Sequence, residues 1–143
     1  MWGPVHVAKK MQLKLNHVTL IVSDFQKSLS FYKRLGFQLI VLSEPRYARF
    51  ICPGSDETLS IEYTGESVEA PRAQLFFECE TIDETVKVLE AKGFEFVQQP
   101  TDMVYLWREA RLEDPDGHNI RLYKAGKNRL NPPWRINPDL RGL

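Results

Sequence analysis

Short alternating runs of apolar and polar residues are broken twice by a stretch with helical spacing, and the second occurrence copies the first. From His17 to Ile40 the chain reads HVTLIVSDFQKSLSFYKRLGFQLI, and from Gln74 to Val97 it reads QLFFECETIDETVKVLEAKGFEFV. The two align without a gap at a constant offset, His17 with Gln74, Gly36 with Gly93 and Phe37 with Phe94. Each opens on a β-branched and aromatic run, passes a polar turn, takes up helical periodicity and leaves through Gly-Phe into another apolar run. This predicts strand, helix, strand, written twice. Leu29, Tyr32 and Leu35, widened by Phe25 and Phe31, form the apolar face of the first helix; Ile82, Val86, Leu89 and Phe94 do so in the second. Asp24 and Thr81 stand where a side-chain oxygen can cap a helix, and Gly36 and Gly93 where the chain can leave one with positive φ.

Along the chain, residues 14–22 predict the first strand, with His17 and Thr19 on one face and Val18 and Leu20 on the other. Residues 38–42, 47–52 and 59–63 predict three more strands. The second half repeats the order: a strand over 73–80, a helix over 82–92, and strands over 94–98, 105–113 and 119–123, the last two joined by the turn Asp114-Pro-Asp-Gly117. The expected organisation is an N-terminal extension (1–12), one domain (13–124) made of two βαβββ modules (13–64 and 73–124) joined by the polar segment TGESVEAPR, and a tail (125–143). The fold class is α+β. The tail carries three prolines and is expected to lack regular structure, with Leu130, Trp134 and Ile136 as apolar anchors across the module seam or a partner subunit.

With 143 residues and 43% hydrophobic content the chain can build a real core, whereas one module alone is too small to be comfortable. Nineteen Lys+Arg balance nineteen Asp+Glu, a neutrality that offers no field for nucleic acid or an anionic membrane. Cys52 and Cys79 sit in or beside strand patterns and read as buried thiols of a reducing compartment. No signal-peptide-like or membrane-spanning stretch is visible, so a cytoplasmic protein without a membrane partner is expected. The chain has no phosphate-cradling Gly-rich loop, no Cys-x-x-Cys and no nucleophile-elbow serine.

HVTLIVSDFQKSLSFYKRLGF in the first half and ARLEDPDGHNIRLY in the second resemble the vicinal oxygen chelate superfamily, which includes glyoxalase I, extradiol dioxygenases, and fosfomycin and bleomycin resistance proteins. The resemblance covers roughly residues 14–124. It implies that each module curls its sheet into half of a cup, that two modules close around a small ligand, and that the protein is a homodimer with modules paired within or between chains. In metal-dependent members the ligands come from the first and last strand of each module. Carried onto this chain, those places are His17 and Glu62, then Gln74 and Arg121, with Ile61-Glu62-Tyr63 matched to Ile120-Arg121-Leu122.

This set departs from the family pattern. A dioxygenase or fosfomycin-resistance site resembles two histidines and a carboxylate, yet Gln74 stands at the second histidine's place and Arg121 at the carboxylate's. His17, Glu62 and Gln74 supply three of the four ligands that a glyoxalase-like site wants. Arg121, always protonated, repels a cation and is expected instead to pair with Glu62 or bind an anionic ligand group.

The leading expectation is therefore a metal-independent protein of the bleomycin-resistance type, binding a small amphipathic or anionic molecule. His17 and Glu62 are the catalytic candidates, and Gln74, Arg121, Arg49, Tyr47, Trp107 and Tyr123 the ligand-binding ones. The alternative is a glyoxalase-like lyase or isomerase holding Ni, Zn, Mn or Fe on His17, Glu62 and Gln74. A third is a vestigial cup that serves assembly or regulation. His118 reads as a surface turn residue, and Arg108, Glu109 and Arg111 as a solvated or subunit-facing charge pattern.

Overall fold

The computed structural model describes residues 11–12, 14–70 and 73–136. Most of the N-terminal extension, including His6, and residues 137–143 of the tail lie outside them. The first module runs β1 (His17–Ile21), α1 (Phe25–Leu35), β2 (Gln38–Ser43), β3 (Tyr47–Ile51) and β4 (Thr58–Glu62). The second runs β5 (Gln74–Glu78), α2 (Ile82–Ala91), β6 (Phe96–Asp102), β7 (Arg108–Glu113) and β8 (Asn119–Lys124). Each module forms one four-stranded sheet, ordered β1-β4-β3-β2 and β5-β8-β7-β6. In both, the first strand pairs parallel to the last and the remaining neighbours are antiparallel. Two tandem βαβββ modules are the expected architecture.

Strand alternation decides which face meets the helices. Leu20, Ala48, Phe50, Leu59 and Ile61 are buried beneath Phe25, Leu29 and Tyr32 of α1, while Ala110, Leu112, Ile120 and Leu122 are buried beneath Ile82, Val86 and Leu89 of α2. The opposite face of each sheet keeps the polar set. Asp24 caps α1 by accepting from the Lys27 amide at 3.0 Å, and Gly36 ends it at φ 110°. Thr81 does not cap α2: its hydroxyl lies 3.2 Å from that of Thr85 instead.

The modules are joined by contacts from α1 and the end of β1 to the β7–β8 turn. The Tyr32 hydroxyl donates to Asp114 at 2.7 Å, the Ser23 amide donates to both oxygens of Asp116 at 3.1 and 3.2 Å, and His118 Nε2 lies 3.4 Å from the Ile21 carbonyl oxygen. Phe31 meets Phe94 edge to face at 5.4 Å, and Phe37 meets Phe77 at 5.5 Å. His118 is thus buried at the seam rather than displayed on a surface turn, because the turn itself is an internal joint.

Three further expectations change. The sixth strand, expected over 94–98, runs Phe96–Asp102. The seventh strand starts at Arg108, not residue 105, because residues 103–107 close as a hairpin turn with Leu106 at φ 70°. The tail begins with a 3₁₀ turn over Gly126–Arg129, and the Trp107 indole donates to the Asn128 carbonyl at 3.2 Å. Leu130, Trp134 and Ile136 remain exposed rather than packing across the seam.

Candidate functional site

On the first sheet, alternation and register bring His17 and Thr19 of β1, Thr58 and Ser60 of β4, and Tyr47 and Arg49 of β3 to the polar face. They form one chain of hydrogen bonds. Arg49 Nε donates to the Tyr47 hydroxyl at 2.9 Å, Tyr47 and Ser60 hydroxyls lie 2.6 Å apart, and Ser60 Oγ is 3.2 Å from His17 Nε2. On the other side of the ring, His17 Nδ1 is 2.6 Å from Thr58 Oγ1, which donates to the Asn16 carbonyl at 3.3 Å. A hydroxyl has one proton to give. Because Thr58 gives its proton to Asn16, His17 Nδ1 must donate to Thr58, which leaves Nε2 as the acceptor for Ser60 and for Thr19 at 3.2 Å. Both nitrogens of the imidazole are engaged in this way.

The second sheet builds a different face at equivalent positions. Arg121 Nη1 donates to Glu109 Oε1 at 2.9 Å, with Glu109 1% exposed. The expected Arg121–Glu62 pair is not formed. Glu109 lies on the adjacent strand, two positions from the residue opposite Arg121, while Glu62 sits exposed at the end of β4 in the other sheet. Arg111 stands directly opposite Arg121 across β7–β8 and reaches Asn119 at 3.4 Å. The Arg121 guanidinium lies over Phe76 at 5.3 Å; Phe76 meets Tyr123 and Trp107 edge to face, and those two rings stack at 4.8 Å. Tyr105 adds a ring edge to Trp107 at 5.9 Å. Burial, and then the neighbouring Glu109 carboxylate, raises the Tyr105 phenol above its ordinary range. Tyr47, Arg49, Trp107 and Tyr123 therefore all stand on or beside these polar faces. Arg108 keeps its solvated role, bridging exposed Asp83 and Asp102, whereas Glu109 belongs to the interior of the face.

The register also tests the metal set. His17 pairs with Thr58, and Glu62 lies four residues further along β4. At the rise of a strand that is a separation of about 13 Å, too far for the two to share one ion. In the second module Gln74 pairs with Asn119, so Thr58 corresponds to Asn119, Ser60 to Arg121 and Glu62 to Tyr123. The structural counterpart of Arg121 is Ser60, the residue that touches His17. Matching Glu62 to Arg121 is a slip of two residues, which strand alternation does not expose because a shift of two preserves which face each residue takes. The four corresponding positions therefore hold His17, Ser60, Gln74 and Arg121: an imidazole already engaged, a neutral hydroxyl, an amide and a fixed cation. This donor set does not suit a divalent ion.

His17 and Gln74 do come together. Both line a cavity of about 330 Å³ at the gap between β1 and β5, walled by Leu15, Val18, Leu75 and Phe76. A larger cavity of about 570 Å³ lies beside it, with Phe37, Phe77, Leu89 and Leu122 in its walls and the free thiols Cys52 and Cys79 at its lining. Burial, then Glu57, pushes the Cys52 thiol up, which makes it a poor nucleophile.

Asp114, Asp116 and His118 bring potential ligand atoms within 4.8 Å of one another. Their carboxylates are already committed: Asp114 accepts from Tyr32 and from the amides of Asp116 and His118, and Asp116 accepts from Ser23. Their observed work is to join the modules. Among the described residues, no helix is long and apolar enough to cross a membrane.

Comparison with known proteins agrees with this architecture. A curated relative, the uncharacterized protein YraH of Bacillus subtilis (strain 168), is 35% identical over 127 residues, covering 78% of this chain and 98% of its own. A glyoxalase/bleomycin resistance protein/dioxygenase from Nocardioides superposes with a TM-score of 0.73 at 19% identity, covering 93% of this chain and 95% of its own. Lactoylglutathione lyase from Agrobacterium tumefaciens does so with a TM-score of 0.69 at 12% identity, over 89% and 100%, and at that distance it speaks for the fold alone. The family model of the Glyoxalase/Bleomycin resistance protein/Dioxygenase superfamily matches residues 14–122, from ahead of β1 into β8, and the chain belongs to this superfamily.

Proposed function

We propose that the protein binds a small amphipathic anion on its polar sheet faces without a resident metal. The observation that carries this reading is Arg121, a fixed cation at a position where a metal-dependent relative needs a donor, held by Glu109 and framed by Phe76, Trp107 and Tyr123. A guanidinium beside aromatic rings suits a ligand with a flat apolar body and a charged end. Arg49 and Tyr47 offer a second polar contact, and His17 and Gln74 line the cavity that Phe76 also walls. Pairing with a second copy and a cytoplasmic location belong to the same reading; exposed Ile40, Val41 and Leu42 on β2 suit the former.

The test uses the full chain, dialysed and assayed for metals by elemental analysis, then titrated with the aromatic anion anilinonaphthalene sulfonate. Saturable binding near one per chain, unchanged by chelator, is expected. About one Ni, Zn, Mn or Fe per chain, lost on His17→Ala, together with no binding of the aromatic anion, would replace this reading with the metal-dependent lyase. Neither metal nor dye would leave a cup that serves assembly or regulation.

A further inference from the structure

Arg111 and Arg121 face each other in direct register across β7–β8. The buried carboxylate of Glu109 pairs with Arg121, while Arg111 reaches the neutral amide of Asn119. Two like charges opposed across a strand pair destabilise one another, and at the buried centre of this face two cations meet one carboxylate, while the carboxylates of Glu113 and Glu78 stand exposed at its rim. The same three side chains also hold unused hydrogen-bonding atoms. Glu109 Oε2, Arg111 Nε and Arg121 Nε are each buried without a partner. Buried polar atoms normally have partners, and with the Tyr105 phenol set against both Glu109 and Arg121, these three adjacent atoms point to a place that a water or a small polar molecule completes. The inventory is specific: two donors from cations and one acceptor from an anion, beside the rings of Phe76, Trp107, Tyr123 and Tyr105.

We infer that Arg111, Arg121 and Glu109 form an anion subsite for an aromatic carboxylate that carries an amino or hydroxyl donor next to its carboxylate. The carboxylate lies between the two opposed guanidinium groups, the neighbouring N–H or O–H donates to Glu109 Oε2, and the ring rests against the aromatic frame. Tyr105, beside Glu109 on the 103–107 turn, is the side chain that must yield to admit the ligand. Its neighbour Leu106 sits at φ 70°. That backbone region favours glycine, so this turn is held by its surroundings rather than by its own preference. This inference rests on the metal-free, anion-binding reading above and names the ligand class for it.

Isothermal titration of the full chain with anthranilate, benzoate and aniline tests it. Anthranilate is expected to bind at least about tenfold more tightly than benzoate, the worth of one hydrogen bond to a charged group, and aniline not to bind. Glu109→Gln should lower the anthranilate-to-benzoate ratio several-fold, since a neutral amide oxygen replaces the charged acceptor for the neighbouring N–H. Arg111→Gln, at a half-buried position, should weaken both carboxylates about tenfold and keep their ratio. Equal affinity for anthranilate and benzoate in the native chain, or an Arg111→Gln variant that binds both as before, overturns the subsite. If the naphthalene sulfonate binds and neither benzoate does, the subsite falls while the anion-binding reading stands; if no aromatic anion binds, both fall. Should Glu109→Gln fail to fold, the native ratio and Arg111→Gln decide.

Discussion

The polar faces of the two sheets share one topology and one register, yet they solve the problem of carrying polar groups in different ways. The first strings hydroxyls and an imidazole in series from Tyr47 through Ser60 and His17 to Thr58, with the half-buried Arg49 guanidinium donating at one end. The second sets an ionised pair in the interior, Glu109 with Arg121, and adds Arg111 across the strand. Series of hydroxyls tolerate the loss of a member because the remaining groups can turn to new partners. A buried ion pair does not, because what remains after a deletion is a charge without a counterion. A duplicated fold thus carries a forgiving face and an unforgiving one.

Substitutions can break or sharpen this contrast. Glu109→Ala should have the largest effect, a loss of about 3 kcal/mol in chemical denaturation, since it strands Arg121 in a mostly buried position. A loss below about 1 kcal/mol would mean that the pair is solvated and that the two faces do not differ. Tyr32→Phe, at the joint between the modules, should cost about 1.5 kcal/mol by leaving Asp114 short of a donor. The same residue predicts a pH dependence. Burial, and then the Asp114 carboxylate, raises the Tyr32 phenol far above its ordinary value, so the folded chain keeps a proton that the unfolded chain releases. Its stabilisation is complete below about pH 10 and declines as pH rises beyond that, and Tyr32→Phe should lack this part of the alkaline decline.

Ser60→Ala on the forgiving face should cost about 1 kcal/mol, because Thr19 still reaches His17 Nε2 and Arg49 still reaches Tyr47. A cost equal to that of Glu109→Ala would erase the contrast. The smallest effect belongs to Glu62→Gln, expected within about 0.5 kcal/mol of the native chain for an exposed residue at a strand end.

Much of this architecture is legible in the sequence. Alternation places His17 opposite Val18 and Leu20, helical spacing selects Leu29, Tyr32, Val86 and Leu89, and the constant offset between the two copies announces two modules. The signal that places Glu109 is present too. In REARLE the core takes Ala110 and Leu112, which sends Glu109, Arg111 and Glu113 to the polar face beside Arg121. What alternation lacks is an origin. Glu62 and Ser60 have the same parity, so only the pairing of β1 with β4 reveals which of them meets His17. His118 escapes for a related reason: Asp-Pro-Asp-Gly describes a tight turn faithfully but says nothing of what covers it, and α1 with the end of β1 covers this one.

The joint between the modules is made almost entirely of side chains rather than of chain connectivity. Tyr32 to Asp114, Ser23 to Asp116, Phe31 to Phe94 and Phe37 to Phe77 all cross it, and none depends on the peptide that links residue 64 to residue 70. The linker's own tie, the Val68 amide donating to Ser23 Oγ at 2.6 Å, is local to the first module's turn. Covalent continuity is therefore a convenience of concentration here. Two separately synthesised halves, split between those residues, should find each other and reconstitute the whole molecule, which makes this fold a natural scaffold for a split reporter.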